Sequence, residues 1–444
     1  MAEHVNIENR IWNPAEALER SRLTALQLER LRDLVERLDA VPFYREVFAR
    51  HRIDRDSIRS LDDLRRLPFT TKADLREQYP LNMLAVPRQR LARIHGSSGT
   101  TGKPTFVAYT AEDLRQWAEL CARFLTAGGL RSEHVVQVAF GYGLFTGGFG
   151  LHYGIEQVGA TVIPAAAGNT PRQLALLQDL GADALVCTPS YALTIAETIR
   201  ERQIDPDSLN LKFGHFGGEP WTEDMRLRID RQLGIRAFNN YGLSEVIGPG
   251  VGGECLRRDG MHIQEDHFLV ECIDPQTLEP VAPGQRGELV FTSLCKQAMP
   301  ILRYRTRDLA ALDDRPCPCG RTTIRMSRVT GRTDDMLIIR GVNVFPSQIE
   351  EALLRVEGTA PHYEIVVDRP GTLDELTVRV EIRPQDFSDE MRQMQQLRQR
   401  IDREIHSVAG LRANVELVRP QTLERFEGKA KRVNDRRGER NGKI

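Results

Sequence analysis

This chain of 444 residues has no uninterrupted apolar run that approaches membrane-spanning length, and no excess of one charge, with 61 basic residues against 62 acidic ones. The first absence argues against a spanning helix and so against a membrane partner. The second removes the broad basic footprint that a nucleic-acid partner would require. The opening Met-Ala-Glu-His-Val-Asn lacks a basic region followed by an apolar one, so a cytoplasmic location is expected. Seven cysteines in so long a chain read as free thiols or metal ligands rather than a disulfide framework. No internal repeat or low-complexity linker is visible. The arginines crowded around 429–440 read as a solvated tail.

Against that plain background, a few loops carry chemistry. Ser97-Ser98-Gly99-Thr100-Thr101-Gly102-Lys103-Pro104-Thr105 follows an apolar segment at 91–94. Its glycines allow close backbone approach, its hydroxyls and N–H groups can donate to phosphate oxygens, and Lys103 adds charge. It is not a Walker A loop, which needs a glycine where this chain has Ser97 and a Ser or Thr where it has Pro104.

With 41% hydrophobic residues and this length, two or three domains with ample cores are expected. Leu23, Leu26, Leu31, Leu34 and Leu38 recur near the helical period. The segments 135–140, 161–164, 184–187 and 213–216 read as short buried strands separated by helices. That alternation implies an α/β fold with a largely parallel sheet covered on both faces, and ligands at the carboxyl ends of its strands. Phe216-Gly217-Gly218-Glu219-Pro220 and Asn239-Asn240-Tyr241-Gly242 follow strand-like segments and so belong at that edge. Beyond Gly331 a compact α+β unit is expected, with helices near 347–355 and 391–408 and a strand marked by Val378, Val380 and Ile382. Leu397, Ile401, Ile405 and Val408 mark one face of the second helix.

Cys255 and His262, followed by Cys317-Pro318-Cys319-Gly320, form a Cys3His set suited to a structural, tetrahedral zinc. Cys121, Cys187, Cys272 and Cys295 stand in apolar or strand-like surroundings and read as core.

Five segments occur in a fixed order: the 97–105 loop, Phe216 to Trp221, Tyr241-Gly242-Leu243-Ser244-Glu245, Tyr304-Arg305-Thr306-Arg307-Asp308, and Gly331-Arg332-Thr333-Asp334-Asp335 running on to Gly341-Val342-Asn343; Glu427-Gly428-Lys429-Ala430 closes the series. This series resembles the adenylate-forming enzymes, which include acyl-CoA synthetases and luciferases. Within that superfamily it resembles the phenylacetate-coenzyme A ligases, most closely at 68–72, 141–148, 241–250 and 334–350. The resemblance spans 23–433.

It implies a large N-terminal adenylation domain (1–332) with mostly parallel sheets flanked by helices, and a mobile α+β lid (333–444) turning at a hinge at Asp334. It also implies roles. Lys429 bridges the carboxylate and the α-phosphate, and Glu245 holds Mg2+. Ser97 through Lys103 bind phosphate, with Thr101 on pyrophosphate. Gly218, Glu219, Pro220, Asn240, Tyr241, Gly242 and Ser244 surround the nucleotide, with Tyr241 stacking on adenine. Asp308 accepts the ribose hydroxyls and Arg332 touches ribose or phosphate. Tyr142, Phe145 and Gly147, with Gly148 beside it, line the acid pocket, where missing side chains leave room for a flat ring. Gly341, Val342 and Asn343 approach coenzyme A. Gly218 and Asn240 replace an expected alanine and a larger apolar residue, changes that would widen or polarise the pocket.

The expected activity is an AMP-forming aryl-acid CoA ligase using ATP, Mg2+ and coenzyme A. The expected partner is a small-molecule aromatic acid, with a homodimer as the assembly considered. The alternative is an adenylating enzyme that delivers the acyl group to a carrier protein or releases the adenylate. A nucleotide-binding regulator without catalysis is disfavoured by the presence of both Lys429 and Glu245.

Overall fold

A computed structural model describes residues 10–96, 104–340, 342–369, 374–383, 386, 391–424 and 432–437. The chain forms two compact units, one of Met1–Cys187, Asp207–Gly218 and Ile235–Arg328, the other of Thr188–Pro206, Glu219–Gly234 and Val329–Ile444. The second groups with the C-terminal segment two stretches that the sequence places in the first domain.

In the first unit the helix Arg20–Leu38 buries Leu23, Leu31, Leu34 and Leu38, while Leu26 is only partly covered. An antiparallel pair, β1 (Leu91–Gly96) and β2 (Phe106–Thr110), brackets the glycine-rich segment in sequence. The main sheet contains β3 (Val135–Val138), β4 (Thr161–Ile163), β5 (Ala184–Cys187), β6 (Phe213–Phe216) and β7 (Arg236–Leu243). It continues with β8 (Gly248–Glu254), β9 (Met261–Ile263), β10 (Phe268–Ile273), β11 (Arg286–Ser293), β12 (Tyr304–Asp313) and β13 (Arg325–Met326). Their order is β10-β11-β12-β13-β9-β8-β7-β6-β5-β3-β4.

Along this order, among the described residues, the pairings from β3 to β7 are the parallel ones. From β7 onward every pairing along the order is antiparallel, so the largely parallel sheet expected from the sequence describes half of it. The parallel half consists of short apolar runs buried along most of their length, as strands covered by helices require. Full burial of side chains such as Phe213 and Phe216 contributes about 1.5–3 kcal/mol each.

In the second unit a sheet runs Asn414–Val418, Glu375–Ile382, Thr359–Asp368, Val433–Asp435, antiparallel at its centre and parallel at both edges. The helix Met391–Ala409 buries Leu397, Ile401 and Ile405 in this core, with Val408 packed partly against it. The helices Pro189–Glu201 and Glu223–Leu233 belong to the same unit, where His362 pairs with Glu197 at 3.4 Å and Arg355 with Asp224 at 3.5 Å. Among the described residues no helix is long and apolar enough to cross a membrane.

Candidate active site and Cys/His centre

The strands β6 and β7 deliver the motifs expected to hold nucleotide to one sheet edge. Gly217 and Gly218 leave the end of β6, and Gly218 has φ of +84°, a left-handed conformation in which alanine would be strained. The glycine that departs from the resemblance therefore answers a backbone requirement. Asn240 donates through Nδ2 to the Phe216 carbonyl at 2.9 Å. Its amide thus fastens β7 to the end of β6 and is occupied in doing so. Gly242 lets β7 and β8 close up, since a Cβ there would lie 2.0 Å from the Gly248 carbonyl oxygen.

Tyr241 donates its hydroxyl to Asp308 Oδ2 at 2.6 Å, and its ring stacks on Phe291 with centroids 5.8 Å apart. The structure thus brings together two residues that lie in separate motifs, and it fills one face of the tyrosine with protein. The turn between β7 and β8 carries Ser244, whose Oγ lies 2.9 Å from Thr146 Oγ1, and Glu245, whose carboxylate stands 4.0 Å from Lys72 Nζ. Glu219 accepts from the Ser190 N–H at 2.7 Å, which fixes its carboxylate at the start of the helix Pro189–Glu201, and Pro220 follows it.

Tyr142, Phe145 and Gly147 surround the start of the helix Thr146–Val158. The missing side chain at Gly147 leaves no open room, because a Cβ there would meet the Phe145 ring at 2.5 Å, and one at Gly148 would meet the Gly141 carbonyl at 2.6 Å. The glycines let Phe145 fold over its own helix. Tyr142 meets His152 Nδ1 at 3.2 Å and packs edge-on against Phe149, while burial raises its phenol above the ordinary value. Arg93 lies 4.9 Å from the centroids of both Phe149 and Tyr153.

Arg332 and Asp334 pair with each other through two bonds at 2.9 and 3.1 Å. Val342 and Asn343 form part of the strand Val342–Val344, which pairs with Leu337–Ile339. Ser97, Ser98, Gly99, Thr100, Thr101, Gly102, Lys103, Gly341 and Lys429 lie outside the described residues.

Cys255, His262, Cys317 and Cys319 are all buried, with ligand atoms within 4.8 Å of one another. Cys255 Sγ to Cys317 Sγ is 3.9 Å and Cys319 Sγ to His262 Nε2 is 3.4 Å. Zinc bonds of about 2.3 Å to sulfur and about 2.0 Å to nitrogen imply tetrahedral edges of roughly 3.8 and 3.5 Å, so the donor set fits. His262 turns its other nitrogen to Thr323 Oγ1 at 3.2 Å, which fixes the ring. The pairing between Cys255 and Cys319 holds the Cys319 thiol far below its ordinary value, with His262 acting in the same direction. Cys121, Cys187 and Cys272 are buried as expected, whereas Cys295 is only partly so.

Sequence reasoning gave no role to Lys72, although it ends the quoted 68–72 stretch, and it missed Lys296 altogether. Neither stands in a spacing pattern that signals chemistry.

The AMP-binding enzyme model matches residues 21–296 and the AMP-binding enzyme C-terminal domain matches 341–437. The chain is 50% identical to a phenylacetate-coenzyme A ligase of Thermus thermophilus over 95% of its length and 98% of that protein. It is 47% identical to a phenylacetate-coenzyme A ligase of Escherichia coli K12 over 97% of its length and 99% of that protein. Among solved structures, a 2-hydroxyisobutyryl-CoA ligase in complex with 2-HIB-AMP superposes with a TM-score of 0.90 at 31% identity, covering 95% of this chain and 91% of the other.

Proposed function

This chain belongs to the phenylacetate-coenzyme A ligase family of AMP-binding enzymes, and we infer that it activates phenylacetate or a similar arylacetic acid with ATP and passes the acyl group to coenzyme A. The products are the acyl-CoA, AMP and pyrophosphate. The observation that carries the reading is the near-full-length identity, joined to the bond between Tyr241 on β7 and Asp308 on β12.

The chemistry begins with a weak electrophile. A carboxylate must attack the α-phosphorus of ATP, expelling pyrophosphate and forming an acyl-adenylate, before the thiol of coenzyme A can displace AMP. Two anions meet in the first step, so positive charge and fixed donors are needed where they meet. The reading assigns Lys429 to that point and the 97–103 segment to the phosphates. Asp308, oriented by the Tyr241 hydroxyl, accepts the ribose hydroxyls and so fixes the nucleotide before reaction. Mg2+, a hard cation that favours oxygen ligands, would be held by Glu245 and offset phosphate charge. Tyr142 and Phe145 supply an aromatic wall for the acid.

The reading divides the chain at Arg332, with 333–444 as a lid that turns about Asp334 between the half-reactions and brings 341–343 toward coenzyme A. It includes a structural zinc at Cys255, His262, Cys317 and Cys319, supported by the fit of the donor set, and a cytoplasmic location.

A pyrophosphate-release screen across phenylacetate, hydroxyphenylacetates, benzoates, anthranilates and decanoate tests the substrate class, and better turnover of decanoate than of every aryl acid would overturn it. Lys429→Ala should lower adenylate formation by about two orders of magnitude, while conversion of synthetic acyl-adenylate with coenzyme A survives. Equal loss in both assays, with the fold intact, would remove Lys429 from its assigned role.

A further inference from the structure

The loop after β11, the turn after β7 and the segment of Lys72, far apart in sequence, are brought to Tyr109 and Glu245. The loop joining β11 to β12 is fixed on the C-terminal side of Lys296, where the N–H groups of Gln297 and Ala298 donate to Asp113 at 2.6 and 2.9 Å. A little further on, the Ala108 N–H donates to Met299 Sδ at 3.2 Å. Held in this way, Lys296 is only 2% exposed, and its Nζ sits 4.5 Å from the Tyr109 ring centroid. The Tyr109 hydroxyl donates to the Ile247 carbonyl at 2.9 Å, tying β2 to the turn that carries Glu245. Lys72 approaches Glu245 from a third segment.

Among the described residues the Lys296 ammonium has no hydrogen-bond partner. Asp113, the carboxylate that acts on it most, is already engaged by the N–H groups of Thr110, Gln297 and Ala298. Burial lowers Lys296 to about 8, with the fields of Asp113 and Glu245 opposing the shift. An ammonium taken out of water without acceptors is costly. A fold that holds one rigidly, beside a carboxylate already paired with a second lysine, has placed cations where an anion with several acceptor oxygens can join them.

We propose that Lys296, seconded by Lys72, is a substrate-binding residue that takes the β- and γ-phosphates of ATP, and then the pyrophosphate product, beside Glu245. The proposal rests on the reading of this chain as an ATP-consuming ligase, but its test does not depend on turnover.

Calorimetric titration with pyrophosphate and Mg2+ should give a dissociation constant at least about tenfold weaker for Lys296→Met than for the parent chain, as expected on losing a charged hydrogen bond. In steady state the KM for ATP should rise by a similar factor with the KM for the acid little changed. The nucleotide-free melting temperature should stay level or rise, because an unpaired buried charge gives way to an apolar side chain of similar length. Unchanged pyrophosphate affinity in folded Lys296→Met would overturn the proposal. So would a lowered melting temperature with the KM of ATP and of acid rising together, which is the signature of a structural role, or a parent chain that binds no pyrophosphate. If Lys296→Met does not fold, Lys72→Ala, at a part-exposed position, carries the test, and an affinity within about twofold of the parent chain sinks the idea. A parent chain that binds pyrophosphate but forms no adenylate with any aryl acid would instead defeat the functional reading and leave this site standing.

Discussion

In the cluster of Cys255, His262, Cys317 and Cys319 the ligand atoms face one another, and the outer nitrogen of the histidine is bonded to Thr323. Around Glu245 the charged atoms stand apart, with Lys72 at 4.0 Å and Lys296 buried without a hydrogen-bond partner among the described residues. The first cluster is buried throughout, the second is part-exposed at Lys72, and both belong to the first unit. The difference is closure. Donors that converge on a single point suit a small ion held for good and contribute to stability. Charges that a fold keeps apart suit a ligand that arrives and leaves.

The sharpest way to break the contrast is Cys319→Ser. Binding energy of a structural zinc is folding energy, so the variant should yield little folded protein, while the parent chain should hold about one zinc by elemental analysis. Metal-free parent protein that stays folded and active would show the closed cluster to be only a thiol core. Next in size, Asp308→Ala removes the carboxylate we assign to the ribose and should raise the KM for ATP by roughly a hundredfold in steady-state assays, with the acid much less affected.

A third kind of buried group sharpens the comparison by belonging to neither class. His215 is enclosed by Phe124, Phe213 and Phe238, its ring nitrogens have no partner among the described residues, and burial lowers it to about 3. At pH values above the ordinary histidine value near 6.5 it is neutral both folded and unfolded and has no effect. As pH falls from there toward 3 the unfolded chain takes the proton first, so stability declines. The cost should reach about 2 kcal/mol at pH 5. Denaturant titrations across that range should show the slope, and His215→Leu should flatten it. The smallest effect is expected for Tyr241→Phe, which keeps the ring on Phe291 but loses the bond to Asp308. The KM for ATP should rise by roughly tenfold or less, and a larger change would mean that the hydroxyl does more than orient the carboxylate.

The strands at 184–187 and 213–216 were legible to the residue, the first as an unbroken apolar run and the second as a short stretch bounded by two phenylalanines, and those at 135–140 and 161–164 ran past their observed ends by one or two residues. The antiparallel half was not legible. Its β8 reads Gly-Pro-Gly-Val-Gly-Gly-Glu, a composition that suggests a loop, and its strands bury charged pairs such as Arg305 with Glu288 at 2.6 Å, which erases the alternation of apolar and polar residues. The Cys/His centre was legible because two of its ligands are adjacent but one in sequence and the residue types are rare. Lys296 was not, because its surroundings are assembled from Tyr109, Asp113 and Glu245, each remote from it along the chain. At Gly147 the missing side chain was legible, but the Phe145 ring that lies against it was not.

Of the three tryptophans in the chain, Trp117 donates its indole N–H to the Pro249 carbonyl at 2.7 Å and stacks on Tyr109 with ring centroids 5.0 Å apart and planes tilted by 12°. The Lys296 ammonium lies over the ring of the same tyrosine. Indole emission responds to nearby charge, and a change in the field at Lys296 reaches the indole across a single ring. The molecule therefore carries a built-in optical reporter of phosphate arrival, one that stopped-flow mixing can follow without a label.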